Sequence, residues 1–282
     1  MLVIKEISKI RSRLKDEKKS DKKIAFVPTM GALHDGHLAL IKKAQESAEV
    51  VVVSIFINKT QFNDPNDYKN YPRQIDKDLE KLKNCQVDYV FLPEDGEMFD
   101  QYFSHKIIPT QLTDCLCGQK RLGHFEGVAL IITKLFNIID PDIAIFGQKD
   151  FQQLAIIKKL VSDLNFDVEI YGLETLRESS GLAMSSRNQR LSESDKVKAA
   201  EIFFALNEIK NEVIKSPQNL EKILQSHNKK LLESGFEKID YLEIRQEKDL
   251  QLVTNFYRCE PSRIFIAAYL NGIRLIDNLQ LT

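Results

Sequence analysis

Two histidines three residues apart, His34 and His37, lie in the run Pro28-Thr29-Met30-Gly31-Ala32-Leu33-His34-Asp35-Gly36-His37. Imidazoles at that spacing, at the start of a helix, can donate hydrogen bonds to phosphate oxygens as charge builds up in a transition state. The helix start itself supplies unpaired N–H groups and the positive end of a dipole, both suited to phosphate. Gly36 leaves room for a flat ring to lie against the backbone. A tight turn whose histidines only cap or pack is the plainer alternative. Zinc binding by the His-x-x-His pair fits less well, because the i, i+4 spacing and glutamate of the protease motif are missing.

Three further clusters carry candidate chemistry. Asn58-Lys59-Thr60-Gln61-Phe62 follows an apolar run, and an amide such as Gln61 binds hydroxyl and carboxylate oxygens without adding charge. Gly147-Gln148-Lys149-Asp150-Phe151-Gln152-Gln153 offers Lys149 as a point charge for phosphate. Asp150 there suits a helix N-cap, with Gln153 one turn inward. Met184-Ser185-Ser186-Arg187-Asn188 combines two hydroxyls and a guanidinium as a clamp for a polyphosphate on a loop. Taken singly, each also reads as a capped helix or a polar loop. No GxxxxGK[ST] or GxGxxG occurs, which disfavours a P-loop ATPase and a standard dinucleotide site.

The elements that must position these groups follow from hydrophobic periodicity. Residues 24–28 and 50–57 are short β-branched runs, expected as strands buried on both faces of a parallel sheet. Leu38, Ile41, Ala44 and Ala48 recur between them at helical spacing, giving a strand–helix–strand unit. The alternation predicts helices near 74–84, 126–138 and 151–164 and strands at 88–92, 142–146 and 168–171. The expected architecture is α/β, a Rossmann-like open parallel sheet with helices on both faces, over residues 1–176. Three of the four clusters then fall at carboxyl ends of strands, where ligands of such sheets collect. Residues 177–282 are expected as a smaller C-terminal α+β domain that closes over the site. It has helices at 193–214 and 217–234 and strands at 239–246, 263–270 and 273–277, with Asn271-Gly272 as a two-residue hairpin turn.

Composition narrows the partners. Of 282 residues, 43% are hydrophobic and 29% charged, an ordinary globular balance. Lys plus Arg (40) nearly equals Asp plus Glu (41), so no global field attracts nucleic acid or an anionic membrane. The most apolar stretch, 128–146, is interrupted by Lys134, Asp140 and Asp142 and is too polar to span a bilayer. Lys5, Lys9, Arg11 and Arg13 break up any signal-peptide core, and a cytoplasmic protein is expected. Cys85, Cys115, Cys117 and Cys259 form no disulfide framework and no paired CxxC knuckles; reduced thiols are expected.

Together the clusters resemble the pantoate–β-alanine ligase (pantothenate synthetase) family of the HxGH nucleotidylyltransferase-like group. The resemblance spans nearly the whole chain. It is densest in PTMGALHDGH (28–37), SIFINKTQF (54–62), GHFEGV (123–128), KLFNIIDPDIAIFGQKDFQQL (134–154) and GLAMSSRN (181–188). It implies that pantoate carboxylate attacks the α-phosphate of Mg-ATP to give pantoyl adenylate and pyrophosphate. The amine of β-alanine then attacks the activated carbonyl, releasing pantothenate and AMP. Carried over position by position, Met30, Gly31, Ala32, Leu33, His34, Asp35, Gly36 and His37 would cradle ATP, with His37 and His34 supporting the departing pyrophosphate. Gly147, Gln148, Lys149 and Asp150 would hold ribose and phosphate, and Leu176 would touch adenine through its backbone. Met184, Ser185, Ser186 and Arg187 match the family's ATP-closing segment. Gln61 and Gln153 would hold pantoate, with Gln61 also orienting β-alanine, and Arg121 matches an arginine on a loop that approaches the site. The resemblance further implies ATP as substrate with Mg2+, no protein-held metal, no tightly bound organic cofactor, and a homodimer.

The chain departs from the family pattern at Lys59 and Leu122, each where proline is usual, at Glu174, where proline precedes the threonine, and at Ser180, where an acidic residue is common. None removes a side chain assigned to chemistry; they bear on loop rigidity. Three alternatives remain: another HxGH adenylyltransferase, which would want extra basic residues for a phosphorylated acceptor, a catalytically silent nucleotide-binding module, and a zinc-binding His-x-x-His protein.

Overall fold

A computed structural model describes residues 1–282. Along the chain run β1 (Leu2–Ile4), α1 (Ile7–Lys19), β2 (Ile24–Thr29), α2 (Asp35–Ser47), β3 (Val50–Ile55), α3 (Pro65–Lys69), α4 (Ile75–Asn84), β4 (Tyr89–Phe91) and α5 (Asp95–Met98). Then come α6 (Leu116–Lys120), α7 (His124–Ile139), β5 (Ile143–Gly147), α8 (Phe151–Leu164) and β6 (Glu169–Leu173). The chain finishes with α9 (Glu193–Lys215), α10 (Leu220–Glu233), β7 (Lys238–Gln246), β8 (Ser262–Leu270) and β9 (Ile273–Gln280). Internal contacts divide it into two units. The first holds Met1–Gln111, Arg121–Gln148 and Gln153–Glu174, the second Leu112–Lys120, Lys149–Gln152 and Thr175–Thr282.

The first unit is a six-stranded sheet in the order β1-β4-β3-β2-β5-β6, with every pair parallel. Its central strands are the predicted apolar runs: all six residues of β3 are buried, as are five of the six in β2. Burial on both faces is what a parallel sheet demands of its middle. The core gathers Ala25, Val27, Val51, Val53 and Ile145 from the strands with Leu33, Ile41 and Leu82 from the surrounding helices and loops. The chain runs from β2 through β3 to β4 on one side and from β5 to β6 on the other. The strand order therefore reverses between β2 and β5, the place beyond the carboxyl ends of the strands where open α/β sheets bind ligands. β5 pairs with β2 only at Ala25 and Phe26. Pro28 therefore sits in β2 beyond that pairing, where its missing N–H breaks no bond to β5.

Sequence periodicity did not anticipate β1 and α1. β1 is an edge strand whose Leu2 and Val3 are exposed, and it exists because Leu2, Val3 and Ile4 pair with Tyr89, Val90 and Phe91 of β4. α1 buries only Ile10 and Leu14, too few apolar positions to announce a helical stripe.

The second unit is built on a three-stranded antiparallel sheet, β7-β8-β9, covered by α9 and α10. Ala199, Leu206, Ile209, Ile223 and Leu231 pack with Ile244, Ile264, Ile266 and Leu275 in its core. β8 and β9 join through Asn271 and Gly272, both at positive φ (48° and 69°), the geometry a two-residue hairpin of this sequence prefers. α9 starts at a capping box in which Ser192 accepts from the Asp195 N–H and the Asp195 side chain returns to Ser192, satisfying two donors of the first turn.

Two short segments inside residues 1–176 belong to this second unit, and side chains explain both. The Gln152 amide donates to the carbonyls of Leu112 and Cys115 and accepts from the Cys117 N–H, folding 112–117 around itself. Asn278 Nδ2 donates to the Lys149 carbonyl at 2.8 Å, while Arg263 stacks on the Phe151 ring. No helix is long and apolar enough to cross a membrane.

Candidate active site

The histidine run occupies the switch point of the first unit. β2 ends at Thr29, whose hydroxyl donates to the Ser54 carbonyl (2.7 Å) and accepts from the Gly31 N–H (3.2 Å). The chain then turns through Gly31 and Ala32, both at positive φ (80° and 51°). A Cβ on Gly31 would lie 3.1 Å from both Asp78 Oδ2 and Ile55 Cγ2, so this turn suits glycine on both space and dihedral. Ala32 lacks that freedom and is held instead. Asp78 of α4, 1% exposed, accepts from the Ala32 and Leu33 N–H groups with its two oxygens, each at 2.8 Å. Lys81, one turn further, donates to the Leu33 carbonyl.

The turn delivers His34 as N-cap of α2 and His37 as its third residue. Their rings lie 4.1 Å apart, tilted by 44°. The His34 N–H donates to His37 Nδ1 at 3.3 Å. An Nδ1 that accepts puts the proton of the neutral ring on Nε2. Asp35 and Gly36 fill the first turn of α2, Asp35 exposed and Gly36 half-buried.

The Asn58–Phe62 segment follows β3. Lys59–Gln61 form a single 3-10 turn capped by Asn58, whose Oδ1 accepts from the Thr60 N–H and hydroxyl. The other end of the Asn58 amide donates to Gln61 Oε1 (3.1 Å) and to the Gly127 carbonyl of α7 (3.0 Å). With its oxygen engaged, Gln61 presents its NH2 group, which now rests 2.9 Å from the Met30 thioether. Sulfur there is a weak acceptor; a substrate hydroxyl or carboxylate oxygen would be a better one. The structure thus brings Gln61 to Met30, within the run of the paired histidines. Lys59 is exposed on this turn.

α7 fits against this turn because of Gly127. A Cβ there would lie 2.4 Å from the Thr60 carbonyl oxygen and 2.5 Å from the Gln61 nitrogen. Gly127→Ala should therefore lower stability by about 1–3 kcal/mol, the usual cost of overpacking, and weaken whatever Gln61 binds. A chemical-denaturation curve and a binding titration would check both.

At the end of β5, Gly147 pairs with Leu173 of β6. Gln148–Asp150 then form a 3-10 turn leading into α8. Gly147 and Gln148 belong to the first unit, Lys149 and Asp150 to the second. Gln148 donates to the Gly172 carbonyl, and the Lys149 ammonium lies 3.7 Å from the Asp150 carboxylate. Gln153 is half-buried in the first turn of α8.

In the second unit, Leu176 and Met184 are joined directly: the Met184 N–H donates to the Leu176 carbonyl at 3.0 Å. Arg177 secures the strand of chain between them with a bidentate bond to buried Asp277 (2.6 and 3.0 Å) and a bond to the Gly181 carbonyl. Ser185 caps the 3-10 turn Ser186–Arg190, its hydroxyl accepting from the Arg187 N–H. Asn188 is buried and ties Ala183 to Glu178. The Ser185–Arg187 segment is therefore an ordered turn on a stapled loop.

Sequence reasoning missed Asp78, and it treated Asn58 only as a loop residue. Asp78 was detectable: it lies i, i+4 from Leu82 on the inward stripe of an amphipathic helix, where a carboxylate is rare unless paired. No group of three or more His, Cys, Asp or Glu side chains is arranged to hold a metal ion, at the His-x-x-His pair or elsewhere.

A parallel α/β sheet with a histidine pair on a helix N-terminus at its switch point has the arrangement suited to binding phosphate. The sequence model of the pantoate-beta-alanine ligase family matches residues 2–280, and the chain belongs to that family. The pantothenate synthetase of Thermosipho africanus is 43% identical over 279 residues, 99% of each chain. That of Psychrobacter sp. is 44% identical over 265 residues, 92% of each. The crystal structure of pantothenate synthetase from Thermus thermophilus superposes with a TM-score of 0.91 at 34% identity, covering 100% of this chain and 99% of that one. Pantoate-β-alanine ligase from Francisella tularensis, complexed with beta-gamma ATP and β-alanine, gives a TM-score of 0.82 at 36% identity over 100% and 98% of the two chains.

Proposed function

We propose that this chain condenses (R)-pantoate with β-alanine, consuming ATP and releasing AMP and pyrophosphate through a pantoyl-adenylate intermediate. The observation that carries the reading is the Met30–His37 turn, which combines a helix N-terminus with a histidine pair and stands beside an amide donor on Gln61.

In the first half-reaction a pantoate carboxylate oxygen forms a bond to the ATP α-phosphorus as the bond to pyrophosphate breaks. The His37 Nε2–H donates to the oxygens that gain charge, with His34 beside it. In the second, the β-alanine amine attacks the acyl carbonyl, a C–N bond forms, and AMP leaves. No enzyme nucleophile is needed, because ATP supplies the activation and the protein supplies alignment and charge stabilisation. Gln61 and Gln153 are assigned to pantoate, and Gln61 also to β-alanine. Met30 to His37 with Gly147 and Gln148 are assigned to ATP. Lys149, Asp150, Leu176, Met184 and the Ser185–Arg187 turn are assigned to the same ATP. Magnesium would enter with the nucleotide as Mg-ATP and neutralise charge on its phosphates. A cytoplasmic homodimer is part of the same reading, supported by the family resemblance.

Pyrophosphate–ATP exchange tests it with pantoate present or absent, magnesium supplied and β-alanine omitted. Exchange should depend on pantoate, and adding β-alanine should release AMP and pantothenate. Folded, ATP-binding protein that shows no exchange would leave a different acceptor or a silent nucleotide-binding module.

A further inference from the structure

Gln61 closes the 3-10 turn after β3, and its main-chain carbonyl, like any at the end of a helical turn, lacks a partner within the turn. His124, buried in the first turn of α7, supplies one: its Nδ1 lies 2.7 Å from that carbonyl oxygen. The other ring nitrogen, Nε2, lies 3.0 Å from Arg121 Nη1, and Arg121 Nε donates to Asn63 Oδ1 at 3.3 Å. These contacts fix the direction of each bond in the chain. A guanidinium has only donors, so Nε2 accepts; the ring proton is then on Nδ1, and the Gln61 carbonyl accepts from it. All four residues belong to the first unit.

We propose that Arg121 and His124 are positioning residues for pantoate, forming a two-link brace that sets the main chain of Gln61 while Asn58 sets its side chain. This rests on the assignment of Gln61 to pantoate. The turn needs an external hold. Residue 59 is a lysine, which leaves φ free, and Leu122, beside Arg121, is 81% exposed and packs little. Gly123, at φ 79°, turns the chain so that Arg121 lies just ahead of α7 and His124 is its first residue. The brace touches neither the histidine pair nor the Asp78 contacts that hold the ATP turn, and it reaches the ATP run only through the Gln61 amide at Met30, so its effect should fall chiefly on pantoate.

The test compares His124→Ala, His124→Asn, Arg121→Ala and the double alanine variant in pantoate-dependent exchange, reading KM for pantoate and for Mg-ATP separately. Loss of one main-chain hydrogen bond corresponds to about tenfold. His124→Ala should raise the pantoate KM by about that factor, with the Mg-ATP KM within about twofold. His124→Asn should restore most of the loss, since its Nδ2–H can stand where Nδ1–H stood. Arg121→Ala should raise the pantoate KM while His124 is present and add nothing in the His124→Ala background. A parallel rise in both KM values, no rescue by asparagine, or multiplying losses in the double variant would each overturn the brace. Multiplying losses would show Arg121 acting on substrate directly. A nitrogen-15 spectrum of the His124 imidazole needs no turnover. It should show Nδ1 protonated and Nε2 bare, a preference lost in Arg121→Ala; a proton on Nε2 would overturn the proposal even if pantoate proved not to be the substrate. Absent exchange in the unaltered protein, with the expected spectrum, would instead count against the ligase reading alone.

Discussion

His37→Ala should lower pantoate-dependent pyrophosphate–ATP exchange by about 10²–10³, with the fold intact. The factor is that of removing one preorganised donor from a developing oxyanion, about 3–4 kcal/mol. His37 is half-exposed on the first turn of α2, and its ring accepts a long bond, 3.3 Å, from the His34 N–H. The loss should fall on kcat for adenylation, because the donor acts where charge appears in the transition state. Amide formation from supplied pantoyl adenylate should change far less. His37→Gln should recover part of the rate, as its Nε2–H2 can approach the position of the imidazole Nε2–H. Near-full exchange in the alanine variant would remove His37 from the mechanism.

Asp78→Ala should have the largest combined effect on stability and activity of any substitution away from substrate. Asp78 is 1% exposed and satisfies two consecutive buried N–H groups at 2.8 Å. Removing it strands both, at about 1–3 kcal/mol each, so a loss of about 2–6 kcal/mol is expected from urea unfolding. It also releases Ala32, a non-glycine residue at φ 51° that keeps this conformation only while its surroundings enforce it. The turn that leads into His34 should then relax, and the Mg-ATP KM should rise. Asp78→Asn separates the two effects. It keeps the shape and one acceptor, but turns an NH2 group toward a second N–H, so the turn should be disturbed while most stability survives. A variant with unchanged Mg-ATP KM would show that the turn holds without its carboxylate.

Both substitutions act within one turn, yet only one of the residues was visible in the sequence. His37 stood out through local spacing, since it and His34 lie in one ten-residue run and follow a β-branched strand. Asp78 lies 45 residues from the N–H group it binds on Leu33, and nothing in the spacing of PTMGALHDGH points to it. Its only mark was a carboxylate on the inward stripe of α4. His124 is comparable: Val128, Ile131 and Leu135 continue its buried face, marking it as an inward histidine without saying that it would meet the Gln61 carbonyl 63 residues away.

Residue order and spacing alone specify the parallel α/β class, the strands from β2 onward and the helices longer than five residues after α1. They also place the Asn271-Gly272 hairpin and mark the His34–His37 pair. Periodicity, β-branched runs and turn chemistry are short-range properties, legible within about a dozen residues. The tertiary structure decided the rest. β1 forms only because β4 offers it a partner, and α1 shows too little apolar stripe to be read alone. Gln152 gathers 112–117 into the second unit, and Asn278 holds the Lys149 carbonyl there. Asp78, Asn58 and His124 take their places because buried N–H and C=O groups must find partners. Those partners are set by which elements the sheet order brings together, a long-range property that no local spacing encodes.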